Sequence, residues 1–304
     1  MQLGRYAGQQ IMRRRQWIEI HEQPWFPDLL RDLVTDTLQI IWNVFNFYEP
    51  IVPRLRCALQ EAGTRQVLDL CSGGGGPWLG LVRDFEKERF SLDICLTDRF
   101  PNPKAFEHAK NLPRSGFVFH DRPVNATCVP TGLEGFRTLF TSFHHFPPEE
   151  ATAILQDAVE RRQGVGIFEV PKRDWITLFL VLFVPVMAFA LAPFIRPFRW
   201  SRLLWTYLIP VVLFVVWFDG VISCLRAYTP PELRALARGL PQDGYRWEAG
   251  EERKGRMRLT ITYLIGHPIR VRDNRTPGLN LHPHTQFPCA MPHKGSRLPN
   301  RQGE

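Results

Sequence analysis

Val67-Leu68-Asp69-Leu70-Cys71-Ser72-Gly73-Gly74-Gly75-Gly76 is a short apolar run that ends on an acid and breaks into four glycines. Residues up to Leu70 predict a buried parallel strand, and Trp78-Leu79-Gly80-Leu81-Val82 predicts the start of a helix behind it. A strand that turns on glycine into a helix lets a ligand lie against bare backbone, close to helix N–H groups. What is missing narrows the ligand. No Gly-Lys-Ser/Thr follows, so the turn is not a phosphate-gripping P-loop. The dinucleotide pattern GxGxxG fails in both available registers, because Trp78 or Leu79 occupies the third glycine position.

Working outward, 304 residues hold one full α/β domain with additions. Six cysteines are scattered singly with no CxxC pair, which argues against a disulfide framework or a zinc site and predicts reduced thiols on the cytoplasmic side. Arg13-Arg14-Arg15 leads into amphipathic rather than uniformly apolar sequence, so no secretory signal is expected. The tail after Gly266 holds Arg270, Arg272, Arg275, Lys294, Arg297 and Arg301 against Asp273 and Glu304, half of the net charge of +8. It is rich in Pro, His and Asn without apolar periodicity and reads as disordered. Charge placed this way points to anionic lipid head groups, and nucleic acid is not an expected partner.

The chain divides into an N-terminal helical cap (1–62), an α/β core (63–173), a hydrophobic insert (174–226), completion of the core sheet (227–266) and the basic tail (267–304). Residues 16–62 carry helical apolar faces, Leu29-Leu30-Leu33 and Leu38-Ile40-Ile41-Val44-Phe45, interrupted at Pro50 and Pro53. Strands are expected at Gln66–Leu70, Ser91–Thr97, Gly116–His120, Thr138–Phe143 and Val165–Val170, alternating with helices as in a parallel sheet. Thr229-Pro230-Pro231-Glu232 is a capping box that starts a helix running to about Gly239. Gly244–Glu248 and Arg258–Ile265 then form a closing hairpin.

Trp175 to Ile195 is 21 residues without a charge and Leu203 to Phe218 is 16 more, joined by Arg196-Pro197-Phe198-Arg199-Trp200-Ser201-Arg202. As helices these arms reach ~31 Å and ~24 Å against a hydrocarbon core of ~30 Å. Because the sheet resumes afterwards, both ends of the insert lie on one membrane face, and a single crossing is excluded. Three arrangements remain open: a membrane-embedded hairpin, a double crossing, and a buried lid or dimer core. The three arginines of the connecting loop and Pro185, Pro193 and Pro210 favour the first, with Lys172 and Arg173 on the near, cytoplasmic side.

The acid followed by alternating glycines (Asp69, then Cys71, Gly73, Gly75) resembles motif I of class I S-adenosylmethionine (SAM)-dependent methyltransferases, with Cys71 where the family usually has glycine. Ile94-Cys95-Leu96-Thr97-Asp98, Pro123 to Pro130, Leu139 to Glu150 and Gly166 to Val170 extend the resemblance over roughly residues 65–265 apart from the insert. The segment Leu139-Phe140-Thr141-Ser142-Phe143-His144-His145-Phe146-Pro147-Pro148 resembles the fourth-strand motif of the ubiquinone and menaquinone methyltransferases and their small-molecule relatives.

The resemblance implies a Rossmann-like α/β fold whose seven-stranded sheet has its last strand antiparallel, with N-terminal helices and an inserted hydrophobic helical hairpin. It implies SAM as cofactor, held by Asp69, Cys71, Ser72, Gly73, Gly75, Asp98, Asn125, Ala126 and Ser142. Asp98 would accept from the ribose hydroxyls and Asn125 from the adenine amine, unless Asn125 only forms a turn. His144 and His145 are the candidate catalytic residues, as general base, substrate contact or structural pair. No metal is expected, because adjacent side chains on a strand point apart. Glu169 would reach the substrate or pair with a basic loop, and Asp219 would snorkel, cap its helix or line an entrance. Trp25, Phe26 and Tyr48 are available to cover the acceptor pocket or to fill the core. The implied function is a membrane-associated SAM-dependent methyltransferase acting on a small-molecule or lipid/quinone-like acceptor, with membrane lipids as further partners. The rival reading is a catalytically inactive membrane-bound scaffold that binds SAM or a nucleotide; a nicotinamide-dependent reductase is disfavoured by the glycine spacing.

Overall fold

Alternation at period two splits each core strand between two hydrophobic layers. In β1 (Gln66–Asp69), Val67 joins Tyr48, Leu55, Trp78 and Phe85 on one side, while Leu68 joins Ile154, Leu155 and Leu233 on the other. The computed structural model in which this is seen describes residues 12–110, 116–254 and 259–269. The basic tail expected from residue 267 lies outside them, apart from its first residues.

The sheet is completed by β2 (Asp93–Leu96), β3 (Phe117–Phe119), β4 (Phe136–Phe140), β5 (Val165–Glu169), β6 (Tyr245–Arg253) and β7 (Thr260–Pro268). Its order is β3-β2-β1-β4-β5-β7-β6; β1 to β5 pair in parallel, and β7 runs antiparallel to both neighbours. This is the seven-stranded α/β arrangement that the resemblance implies. Strand order reverses between β1 and β4, which places a crevice beyond the carboxyl ends of those two strands.

Helices α1 (Asp28–Val44), α2 (Val52–Ala62), α3 (Trp78–Lys87) and α4 (Pro103–Lys110) precede β3, and α5 (Pro148–Glu160) follows β4. Residues 16–27, expected to be helical, are irregular instead, and the first helix starts at Asp28 directly after Pro27. Two prolines within four positions, Pro24 and Pro27, remove the backbone donors a helix there would need. The fourth strand also ends earlier than expected. Thr141 adopts a left-handed φ of 44°, and Phe143–His145 form a 3-10 turn rather than strand.

The insert comprises α6 (Trp175–Val181), α7 (Val184–Leu191), the short α8 (Trp200–Leu203), a π-helical turn at Leu204–Leu208, and α9 (Val211–Arg226). Trp175–Phe194 is apolar and long enough to cross a membrane, with a mean hydropathy of 2.5 and only 17% of its apolar window buried. The second arm is bent by 72° between Leu208 and Val211, where Pro210 cannot donate a backbone hydrogen bond. Trp175, Phe179, Val186, Phe194, Trp200 and Leu208 are exposed.

One side of the insert packs on α1, where Ala188, Val212, Val215 and Val216 meet Leu33 and Val34. The loop joining the arms is tied to the same helix. Arg202, fully buried, donates to Asp36 Oδ2 at 2.7 Å, and Arg199 lies 3.2 Å from Asp32. After the insert, α10 (Pro230–Arg238) begins at the expected capping box of Thr229 and Glu232.

Candidate active site

The glycine turn and the end of β2 close on each other at the strand switch point. The Gly73 N–H donates to Asp98 Oδ2 at 2.7 Å, and the Phe100 N–H holds Oδ1 at 2.8 Å. Gly73, Gly75 and Gly76 all have positive φ, and a Cβ built on Gly75 would lie 2.9 Å from the Gln39 amide nitrogen of α1. The turn therefore needs glycine for its backbone and for the close approach of α1. Gln39 donates to Gly74 O, and Asn43 donates to Gly76 O at 3.0 Å. Cys71 adopts φ 59°, the left-handed conformation that explains why glycine is usual at this place in the resembling motif. Burial, then the neighbouring Asp98 and Asp69, push its thiol well above the ordinary range, so it is no nucleophile near neutral pH.

Around this turn lies a cavity of about 590 Å³, within the range of small-molecule sites. Of the residues expected to hold a cofactor, Asp69, Cys71, Ser72, Gly73, Asp98, Asn125, Ala126 and Ser142 line it. Gly75 does not; it lies under Gln39 and shapes the turn. Asp69 is buried and accepts from the Thr138 hydroxyl at 2.6 Å; burial pushes its carboxyl up to about 7. Burial likewise raises Asp98, against the two N–H groups that favour its charge. Asn125 departs from its expected role. Its side-chain oxygen already accepts from the N–H and O–H of Thr127, at 3.0 and 2.9 Å, which fills both lone pairs. It forms a turn, and only its amide NH2 is left for a ligand.

The two histidines separate. His145 lines the cavity, whereas His144 is fully buried behind it. His144 Nδ1 lies 2.5 Å from Glu169 Oε2, and Glu169 Oε1 accepts from the N–H groups of Ser142 and Phe143 at 3.0 and 2.7 Å. Burial alone would lower the His144 imidazole, but Glu169 and Glu19 outweigh it and raise it to about 9. His144 is thus a charged clamp on the loop after β4, not a base at the cavity. Glu169 faces that loop rather than substrate. The two rings do not point apart as on a strand; the 3-10 turn brings their centroids within 4.3 Å.

An irregular N-terminal segment completes the wall, and sequence reasoning missed it. His21, Glu22, Gln23 and Pro24 line the cavity, with Thr35, Gln39 and Trp42 from α1. Glu19 is fully buried between His144 and His145, and Glu22 pairs with His145. Asp219 of α9 fastens the segment, accepting from the N–H groups of Ile20 and His21 at 2.7 and 3.1 Å and lying 2.7 Å from His21 Nδ1. It neither snorkels, caps α9 nor lines an entrance. The signal in the sequence was the charged pattern Glu19-Ile20-His21-Glu22, of which Glu19 is fully buried and the others half-buried although the stretch has no helical period. Trp25, Phe26 and Tyr48, available either to cover the pocket or to fill the core, do not line the cavity: Trp25 is exposed, Phe26 packs against the insert, and Tyr48 fills the core.

No family model matches the sequence, and no curated protein matches it. Among solved structures the chain is similar to LepI in complex with SAM, at 18% identity and TM-score 0.39, over 70% of this chain and 46% of that one. It is similar to NcsB1, an O-methyltransferase from neocarzinostatin biosynthesis solved with S-adenosylmethionine and 2-hydroxy-5-methyl naphthoic acid, at 14% identity and TM-score 0.41, over 77% and 58%. A putative Zn-dependent alcohol dehydrogenase from Rhodobacter sphaeroides is as similar, at 14% identity and TM-score 0.40, over 78% and 98%. The chain spans about half the length of the first two. Likeness this distant decides no activity; the fold rests on the strand order itself.

Proposed function

We propose that this chain is a membrane-associated SAM-dependent methyltransferase acting on a small-molecule or lipid-like acceptor. The observation that carries this reading is the junction of the glycine turn with Asp98, a Gly73 N–H to carboxylate bond of 2.7 Å, in the wall of a cavity also bordered by Asp69. The residues fit the cofactor. The left-handed glycines present backbone without side chains, and Asp98 supplies an acceptor pair of the kind a ribose diol needs. When bound, SAM supplies a methyl group already activated on a sulfonium, so the protein's contribution is mainly alignment. Asp98 would hold the ribose, Gly73 the backbone approach, and Ala126 the adenine side, while Ser142 and His145 border the acceptor. His144 and Glu169 fix the loop that carries those two residues.

The membrane part of the proposal rests on the apolar surface of the insert and on its arginine loop. Exposed Trp175, Phe179, Trp200 and Leu208 form a surface suited to a bilayer interface. Arg199 and Arg202 are held at Asp32 and Asp36 of α1, which favours a hairpin lying in the near leaflet over a double crossing. The same helix carries Thr35, Gln39 and Trp42 of the cavity wall, so the insert lies one helix away from the acceptor site. That proximity supports a lipid or quinone-like acceptor.

Incubation of a membrane lipid extract with protein and isotopically labelled SAM, followed by mass spectrometry, tests the reading. A mass-shifted species made by wild type and lost in Asp98→Ala supports it and names the acceptor. Equal transfer to water-soluble and lipidic acceptors removes the lipid preference. SAM binding without any labelled product leaves the inactive scaffold, which the engaged oxygen of Asn125 favours.

A further inference from the structure

The chain ahead of α1 runs along the last helix of the insert. Arg14 Nε donates to Arg226 O at 2.7 Å, and the Arg15 N–H donates to Leu225 O at 3.0 Å. Further on, Glu19 accepts from the Ser223 hydroxyl at 3.0 Å, and Asp219 accepts from the N–H groups of Ile20 and His21. Phe26 then joins Val212, Val215 and Val216. Residues 14–26 therefore follow α9 in reverse, from its last residue back to its first turns, as a strap laid along that helix.

The strap sorts its side chains by charge. Both acids turn inward: Glu19 is fully buried, and Glu22 Oε2 accepts from Arg226 at 2.7 Å. Arg14 turns inward as well, donating to Phe146 O at 3.1 Å. Arg13 and Arg15 are exposed, and neither has an ion-pair partner among the described residues. Beside them Trp17, Ile18 and Trp25 are 56, 64 and 70% exposed. A large aromatic side chain carries ~150–250 Å², so the two indoles alone leave on the order of 200 Å² in water. Phe214 and Trp217 of α9 are exposed too, so the strap extends the apolar surface of the helix it follows.

We propose that residues 13–25 form a second membrane-docking surface, whose partner is a bilayer carrying anionic head groups. Indole rings suit the boundary between head groups and acyl chains, and arginines beside them pair with lipid phosphates and carboxylates. The outward positions of the strap hold two arginines and no acid, which selects an anionic bilayer over a zwitterionic one. The inference rests on the membrane association proposed above and adds to it a segment outside the insert. It also reaches the site. His21, Glu22, Gln23 and Pro24 of the same strap line the cavity, so the bilayer and the cavity's ligand act on one stretch of chain.

The test is tryptophan quenching in the full-length protein, reconstituted without SAM in lipid nanodiscs whose acyl chains are brominated or not. Subtracting the emission of a Trp17→Phe, Trp25→Phe variant from that of wild type isolates the two strap indoles; a Trp175→Phe, Trp200→Phe variant isolates two of the insert. All four side chains are exposed, so the substitutions leave the fold intact. In discs containing phosphatidylserine, brominated lipid should reduce the strap emission by about half or more. In phosphatidylcholine alone the reduction should be smaller, and Arg13→Ala with Arg15→Ala should remove that difference between lipids. Quenching confined to the insert indoles overturns the proposal and leaves the membrane reading of the insert standing, whereas quenching of neither pair overturns both. Strap quenching that is equal with and without phosphatidylserine overturns the choice of an anionic partner.

Discussion

Asp69→Asn should remove most of the loss of stability that wild type undergoes between mildly acidic and mildly alkaline pH. Asp69 sits at the end of β1 with its side chain out of water, and its carboxyl is pushed up to about 7 from 3.8, chiefly by burial. Between those two values the unfolded chain has already released the proton that the folded chain keeps. Folding then takes up a proton, so stability is fully present below the unfolded value and falls as pH rises toward the folded one. At ~1.36 kcal/mol per pKa unit the full difference is roughly 4 kcal/mol. Asparagine keeps an oxygen for the Thr138 hydroxyl but has no proton to lose. Urea unfolding in detergent at about pH 4.5 and about pH 8 measures the effect. Wild type should lose ~3 kcal/mol or more relative to the variant across that interval. Parallel profiles, agreeing within about 0.5 kcal/mol, would refute the claim that a desolvated carboxyl underlies the turn.

Two other substitutions test the scaffold around the cavity. Cys71→Gly relieves a left-handed backbone that costs a side chain ~1–2 kcal/mol, less the flexibility glycine adds to the unfolded chain, so a net gain of roughly 0.5–1 kcal/mol is expected in thermal unfolding. A loss of stability would show that the thiol's packing outweighs the strain. Arg202→Met leaves Asp36 buried with only Asn102 and the more distant Arg199, at 3.2 and 3.9 Å, and should cost about 3 kcal/mol. Limited proteolysis should then cut the loop between the two arms of the insert, and unchanged resistance would count against the loop being held by that pair.

The sheet was legible because its strands are apolar runs bounded by turns, and hairpin and capping box were marked by local chemistry at Thr229 and Glu232. The acid and glycines of the turn were legible for the same reason, and the structure gathers them with Asp98, Ala126 and Ser142 around one cavity. Which of its three roles His144 takes was not legible, because Phe140 to Phe146 continues the apolar pattern of β4, while Thr141 bends the backbone out of the strand. The segment Glu19 to Pro24 was not legible as a wall of the site. It has no secondary structure of its own, and it is held by Asp219, Ser223 and Arg226, some two hundred residues away, together with Arg31 of α1. Long-range ion pairs of this kind leave no periodic trace. Asn125 shows a local motif competing with a functional reading, since an asparagine two residues before Thr127 satisfies its own turn first.

Calorimetric titration of SAM into wild type and into Asp98→Ala tests the central claim most directly. The account predicts micromolar binding to wild type and a loss of about 100-fold or more in the variant, as expected for two hydrogen bonds to a charged acceptor at ~1.5–3 kcal/mol each. Equal affinity in the two proteins, or no binding to wild type at all, would contradict it.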